Sequence, residues 1–177
     1  MHSNKNSLIV ILTLYKFVEI KNLNSLKLKI QTFCIKHELM GTLIIATEGI
    51  NGTVSGDQRN ISAFIDWIKK IKIFSNIEKK FSFHENQPFL RMKVKIKKEI
   101  VSMGIKNIYP EKQGGKYLNP QQWNKIITDP NVLVVDTRNK YEIAIGKFSG
   151  SLNPKTNNFK EFPIWAKEIS NKYKNQK

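Results

Sequence analysis

The stretch Leu43-Ile44-Ile45-Ala46-Thr47-Glu48-Gly49-Ile50-Asn51-Gly52-Thr53-Val54-Ser55-Gly56 decides how this chain folds. Its first part lies within a short apolar run, Gly41–Thr47, which reads as a strand. The nine residues from Glu48 to Gly56 hold three glycines and an Asn, which mark tight turns with positive φ. Val54, between Thr53 and Ser55, reads as a further short strand. Toward the N-terminus, Leu8–Val18 forms a first strand. It is followed by a helix that Asn24 or Ser25 caps and that runs to about Lys36. Toward the C-terminus, Asp57 caps a second helix through Ile71, with Ile61, Phe64, Ile65 and Ile68 on one face. Strands follow at about Ile77–Phe83 and at Met92–Ile96. The order is β-α-β-β-α-β with an extra strand, the split βαβ or ferredoxin-like pattern. It occupies residues 1–100.

The last of these strands alternates Met92, Val94 and Ile96 with Lys93, Lys95 and Lys97, the pattern of a strand with one wet, basic face. Arg91 and Lys98 extend the strip. Such a strip is a charged edge that discourages aggregation, or a track for nucleic acid. Residues 101–116, with Gly104, Pro110, Gly114 and Gly115 and no sustained period, read as a linker. Residues 117–177 begin a second unit. Asn119-Pro120 opens a helix over Gln121–Ile127, with Asn119 as cap and Pro120 at the first position. Val132-Leu133-Val134-Val135 is a continuous apolar run, as expected of a parallel strand buried on both faces. A helix over about Phe162–Tyr173 comes later. One strand does not make a parallel sheet, so this unit reads as an incomplete α/β domain.

Composition narrows the function. With 40% apolar residues the chain can bury a core, and Cys34 is its only cysteine, which excludes a disulfide scaffold. The apolar run Leu8–Leu12 is broken by Thr13, so no membrane span is expected. No cleavage site for secretion follows the early apolar run, and a lone thiol suits the cytoplasm. The formal charge is +16, which invites a polyanion; a coding bias toward Lys, Ile and Asn produces the same excess. All but three of the 30 basic residues are Lys, the exceptions being Arg59, Arg91 and Arg138. Reading duplex sequence favours Arg, so diffuse backbone attraction by Lys is the form of binding to expect. Cys34 falls in the apolar stripe Leu26, Ile30, Phe33, Cys34 of the first helix and reads as a core residue. His2, His37 and His84 show no ligand spacing, so no metal is expected. The glycines at 49, 52 and 56 fit neither a dinucleotide fingerprint nor a Walker loop.

Two motifs match a known family. The first is the stretch quoted above. The second is Val135-Asp136-Thr137-Arg138-Asn139-Lys140-Tyr141-Glu142-Ile143-Ala144-Ile145-Gly146-Lys147-Phe148. Between them lies Gln87-Pro88-Phe89-Leu90-Arg91-Met92-Lys93-Val94-Lys95, and beyond them Asn153-Pro154-Lys155-Thr156 and Phe159-Lys160-Glu161-Phe162-Pro163. From about Tyr15 to Tyr173 the chain resembles the N-terminal part of the rhodanese-related tRNA uridine hydroxylases. The resemblance implies an acylphosphatase-like, ferredoxin-like domain followed by the first part of a rhodanese-like domain. It implies oxygen-dependent 5-hydroxylation of the wobble uridine of certain tRNAs, with O2 as co-substrate and no metal or flavin site visible. It also implies an essential cysteine in a later loop. The chain stops before that loop and Cys34 does not match it, so no catalytic residue is assigned and the isolated chain is expected to be inactive.

The remaining assignments follow from that resemblance and from the residues themselves. Asp136, Arg138, Glu142 and Gly146 form the rhodanese motif and are expected to be structural, with Asp136 holding loop amides and Arg138 paired to Glu142 four residues on. Arg91, Lys93, Lys95 and Lys97 are candidates for holding tRNA. Glu48, Gly49, Asn51 and Gly52 form a turn whose exposed amides can bind phosphate; Glu48 either organises that turn or moves a proton. The alternatives to an enzyme are a tRNA-binding module that works with a separately encoded rhodanese C-terminal half, and a truncated fragment with no activity of its own.

Overall fold

The computed structural model describes residues 8–105 and 114–173. Much of the expected linker, including Pro110, lies outside the described residues, as do His2 and the last four residues. The chain divides into two compact units, Met1–Val101 and Ser102–Lys177.

The first unit runs β1 (Ile9–Phe17), α1 (Leu23–Lys36), β2 (Met40–Ala46), β3 (Gly49–Gly56), α2 (Gln58–Lys70), a single 3-10 turn (Lys72–Phe74), β4 (Glu78–His84) and β5 (Met92–Ile96). The sheet order is β4-β1-β3-β2-β5. β1 lies antiparallel to both β3 and β4, β2 antiparallel to β3, and β5 parallel to β2. Strands β1 and β2, joined through α1, thus admit β3 between them, which is the split βαβ arrangement of a ferredoxin-like, acylphosphatase-like fold.

Period explains which face is buried. Val10, Leu12 and Leu14 of β1, Leu43 and Ile45 of β2, Ile50 and Val54 of β3 and Val94 of β5 turn inward. Leu26, Ile30 and Cys34 of α1 and Ile61, Phe64 and Ile68 of α2 meet them, at i, i+3 or i+4 spacing. Each fully buried Leu, Ile or Phe contributes about 1.5–3 kcal/mol. The helix starts are set by side chains that accept otherwise orphaned amides. Asp57 accepts from Asn60 N at 2.7 Å, as expected. For α1 the cap is Asn22, which accepts from Ser25 N at 3.0 Å, two or three residues before the expected Asn24 or Ser25.

One correction concerns the glycine-rich stretch. The turn between β2 and β3 is confined to Thr47 and Glu48, and residues 49–56 are a central strand. Glycine is needed there for close approach. A Cβ on Gly52, whose φ is +155°, would lie 2.2 Å from the Thr42 carbonyl oxygen; one on Gly49 would lie 2.1 Å from that of Lys16.

The second unit contains α3 (Pro120–Ile126), α4 (Lys140–Ile145), a 3-10 turn (Phe159–Glu161) and α5 (Phe162–Lys172). Asn119 and Gln122 form a reciprocal capping box at α3, as do Asn139 and Glu142 at α4. The apolar run at 132–135 does not form the expected doubly buried strand. It is half-buried, and its sheet pairing among the described residues is one parallel bridge, Val135 to Leu152. Leu152 N donates to Val134 O at 2.8 Å and Asp136 N to Leu152 O at 3.0 Å. A parallel ladder requires a longer partner than this segment supplies. The second unit also holds the ring pairs Trp123–Phe148 and Phe162–Trp165, with centroids 5.3 and 5.6 Å apart.

Candidate functional site

The face of the first sheet that turns away from α1 and α2 is built by the alternate residues of each strand. Register places Lys80, Thr13, Thr53, Thr42 and Lys93 in one row across all five strands. The Thr13 and Thr53 hydroxyls are hydrogen-bonded at 3.0 Å. A second row runs Glu78, Tyr15, Asn51, Ile44 and Lys95. This face is therefore polar through its middle and basic at its β5 edge. Lys93 is half-buried and Lys95 exposed. Arg91 and Lys97, both exposed, flank the strand; their backbones prolong the pairing, Gly41 N donating to Arg91 O at 3.1 Å and Lys97 N to Ile45 O at 3.0 Å. All four candidate tRNA-holding residues thus belong to one edge segment. The Thr row is what sequence reading missed, because register between distant strands leaves no local signal.

Glu48, Gly49, Asn51 and Gly52 do not form an open cradle. β3 is paired on both sides, to β1 and to β2, so its amides belong to the ladders. The two polar side chains instead grip one residue that follows β5. Ile100 N donates to Glu48 Oε1 at 2.7 Å, and Asn51 Nδ2 donates to Ile100 O at 3.1 Å. The Ile100 side chain is buried and would lie 3.0 Å from a Cβ at Gly49. Glu48 is thereby engaged in holding the end of the unit. A related clasp at the other end of β3 joins the buried Ser55 hydroxyl to the Gln87 side chain.

Cys34 is fully buried, and burial pushes its thiol up to about 12. Nucleophilic cysteines require the opposite, an accessible thiolate. Among the described residues no three His, Cys, Asp or Glu side chains group as a metal site requires, and no helix is long and apolar enough to cross a membrane.

In the second unit, Asp136 is 8% exposed and grips Arg138 through two hydrogen bonds, Arg138 Nε to Oδ1 at 2.9 Å and Nη2 to Oδ2 at 2.6 Å. Its Oδ1 also accepts from Arg138 N at 3.2 Å. The side-chain bond from Arg138 is the main reason the Asp136 carboxyl is held below its ordinary range. Arg138 Nη2 donates further to Gly146 O at 2.7 Å, closing the loop around α4. The expected Arg138–Glu142 pair is replaced by this one. Glu142 reaches back to Asn139 N at 3.1 Å as half of the capping box, which occupies it.

Comparison with known proteins adds the following. A family model described as the UPF0176 acylphosphatase-like domain matches residues 9–100. The tRNA uridine(34) hydroxylase of Rhizobium leguminosarum bv. trifolii (strain WSM2304) is 47% identical over 161 residues, which cover 91% of this chain and 52% of that protein. The chain thus spans about half the length of this curated relative. Among solved structures, BlrB, a BLUF protein in its dark state, is similar with a TM-score of 0.46 at 14% identity, over 55% of this chain and 80% of that one. An acylphosphatase from Coxiella burnetii gives 0.38 at 8% identity, over 54% of this chain and 100% of that one. Both scores are too low to carry weight.

Proposed function

The chain belongs to the UPF0176 family, and from that premise we propose that it serves tRNA modification, namely oxygen-dependent 5-hydroxylation of the wobble uridine, in the cytoplasm. The observation that carries this reading is the 47% identity to a protein named tRNA uridine(34) hydroxylase across nearly all of this chain. Within that function the first unit holds tRNA. Arg91, Lys93, Lys95 and Lys97 face the phosphates, and the Thr row beside them offers hydroxyls to sugar and base. The second unit is the N-terminal part of a rhodanese-like domain, in which Asp136, Arg138, Glu142 and Gly146 fix the loop after the apolar run.

The chemistry is supplied elsewhere. The one thiol of the chain is buried and protonated at neutral pH, which supports the reading that the 177 residues hold tRNA and do not themselves supply a reactive cysteine. A rhodanese C-terminal half that carries a reactive cysteine complements them. The purified chain, incubated with tRNA and O2, is expected to retain tRNA on a filter while nucleoside mass spectrometry finds no 5-hydroxyuridine. Formation of 5-hydroxyuridine by this chain alone would overturn the division of labour; failure to bind tRNA would overturn the role of the first unit.

A further inference from the structure

Among the described residues β4 is an edge strand of the sheet. Six of its seven residues are exposed, and on its helix-facing side Phe81 and Phe83 are 50% and 58% exposed. A seven-residue edge with exposed aromatics is a template for another strand. We propose that β4 pairs antiparallel with β4 of a second copy of this chain, across a two-fold axis at Phe81, to give one continuous ten-stranded sheet.

The sequence of the edge selects both the occupant and the register. A two-fold axis normal to the sheet keeps the helices of both copies on one side, so facing residues share parity. Centring the axis on Lys80 sets two ammonium groups opposite each other, which is unfavourable. Centring it on Ser82 sets Lys80 opposite His84 and leaves Glu78 without a partner. Centring it on Phe81 pairs all seven residues of each strand. Phe81 then faces Phe81, Lys80 faces Ser82, Lys79 faces Phe83, and Glu78 faces His84 at both ends. The facing side chains thus suit one another: a carboxylate meets an imidazole that can donate to it, and an ammonium meets an aromatic ring. Lys79 and Lys80, which would guard the edge against a generic strand, meet no like charge directly.

The test uses the full chain. Sedimentation over a range of concentrations up to the millimolar is expected to show a monomer–dimer equilibrium. Phe81→Lys and Phe81→Glu, each checked for native circular dichroism, are each expected to raise the dimer dissociation constant at least about tenfold, and mixing the two is expected to restore association. Phe81→Cys provides a second route that needs no folding comparison between charges. Directly opposed Cα atoms lie about 4.5–5.5 Å apart, within disulfide range, and the native thiol Cys34 is buried. Under copper–phenanthroline, Phe81→Cys is expected to cross-link into a dimer, and the exposed α2 control Ser62→Cys is not. A wild-type chain that stays monomeric throughout would overturn the proposal. So would a dimer that the Phe81 charges leave intact, or cross-linking no faster at position 81 than at 62.

Discussion

Reversing the three lysines Lys93, Lys95 and Lys97 to Glu tests whether tRNA is held at one place or by charge in general. A strand advances about 3.3 Å per residue, so Lys93 and Lys95 are rooted about 6.6 Å apart on one face, inside the roughly 8 Å screening length of physiological salt. They act on one short length of backbone. Each phosphate neutralised on a single strand contributes about 0.7 to the slope of log K against log salt, so three lost contacts flatten the slope by about 2. Between 50 and 200 mM salt the wild type then loses about 16-fold more affinity than the variant does. The assay is tRNA binding by fluorescence anisotropy at several salt concentrations. The control reverses Lys29, Lys69 and Lys70, which are exposed on α1 and α2, and leaves the same net charge. Five of the six positions are exposed, where a substitution alters stability by about 0.5 kcal/mol or less; Lys93 is half-buried, so both variants are compared only after each shows native circular dichroism. If the helix variant flattens the slope as much as the strand variant, the localised site is refuted, and the +16 charge acts only as a diffuse attractor.

Three further outcomes are expected. In the native protein at neutral pH, Cys34 is expected to resist alkylation and to label only in denaturant, because its thiol is pushed up to about 12; rapid labelling of folded protein, read by mass spectrometry, would contradict the burial. Gly52→Ala, which forces a Cβ to 2.2 Å from the Thr42 carbonyl at a φ of +155°, is expected to cost about 2–5 kcal/mol by urea titration, and a loss below about 0.5 kcal/mol would show that β3 and β2 do not approach so closely. Asp136 has its carboxyl held down by Arg138, so the folded form binds its proton less readily than the unfolded form. Its contribution is therefore present at neutral pH and is lost as pH falls through and below about 4. Hydrogen exchange of the Arg138 amide is expected to be slower in wild type than in Asp136→Asn at pH 7, once rates are corrected for pH. That difference should close on acidification, and one that grows in acid would reverse the assigned sign.

The elements of the first unit were legible because apolar period is a local signal. Val10, Leu12 and Leu14 alternate, and Ile61, Phe64 and Ile68 recur at helical spacing, so strand and helix announce themselves within a dozen residues. Glycine misled the reading at 48–56. Close backbone approach in a central strand demands the same residue as a turn does, and only the partner strand tells the two apart. The grip of Glu48 and Asn51 on Ile100 spans about fifty positions of sequence and has no local signature. At 132–135 the apolar run was plain, but a strand is defined by its partner, and Leu152 alone bridges to it among the described residues. The Arg138 pairing was misplaced for a related reason. The expected i, i+4 contact presumes that both residues lie within a helix, whereas Arg138 precedes Asn139, the cap of α4, and turns back to Asp136.

Hydroxylation of the wobble uridine is proposed for this chain from its resemblance to a longer relative. The most direct measurement is nucleoside mass spectrometry of tRNA from cells in which its gene has been deleted. The account predicts that 5-hydroxyuridine and its derivatives at that position fall, and that restoring the gene returns them, whereas the Lys93, Lys95 and Lys97 reversal returns them only in part. Unchanged wobble modification in the deletion strain would contradict the account.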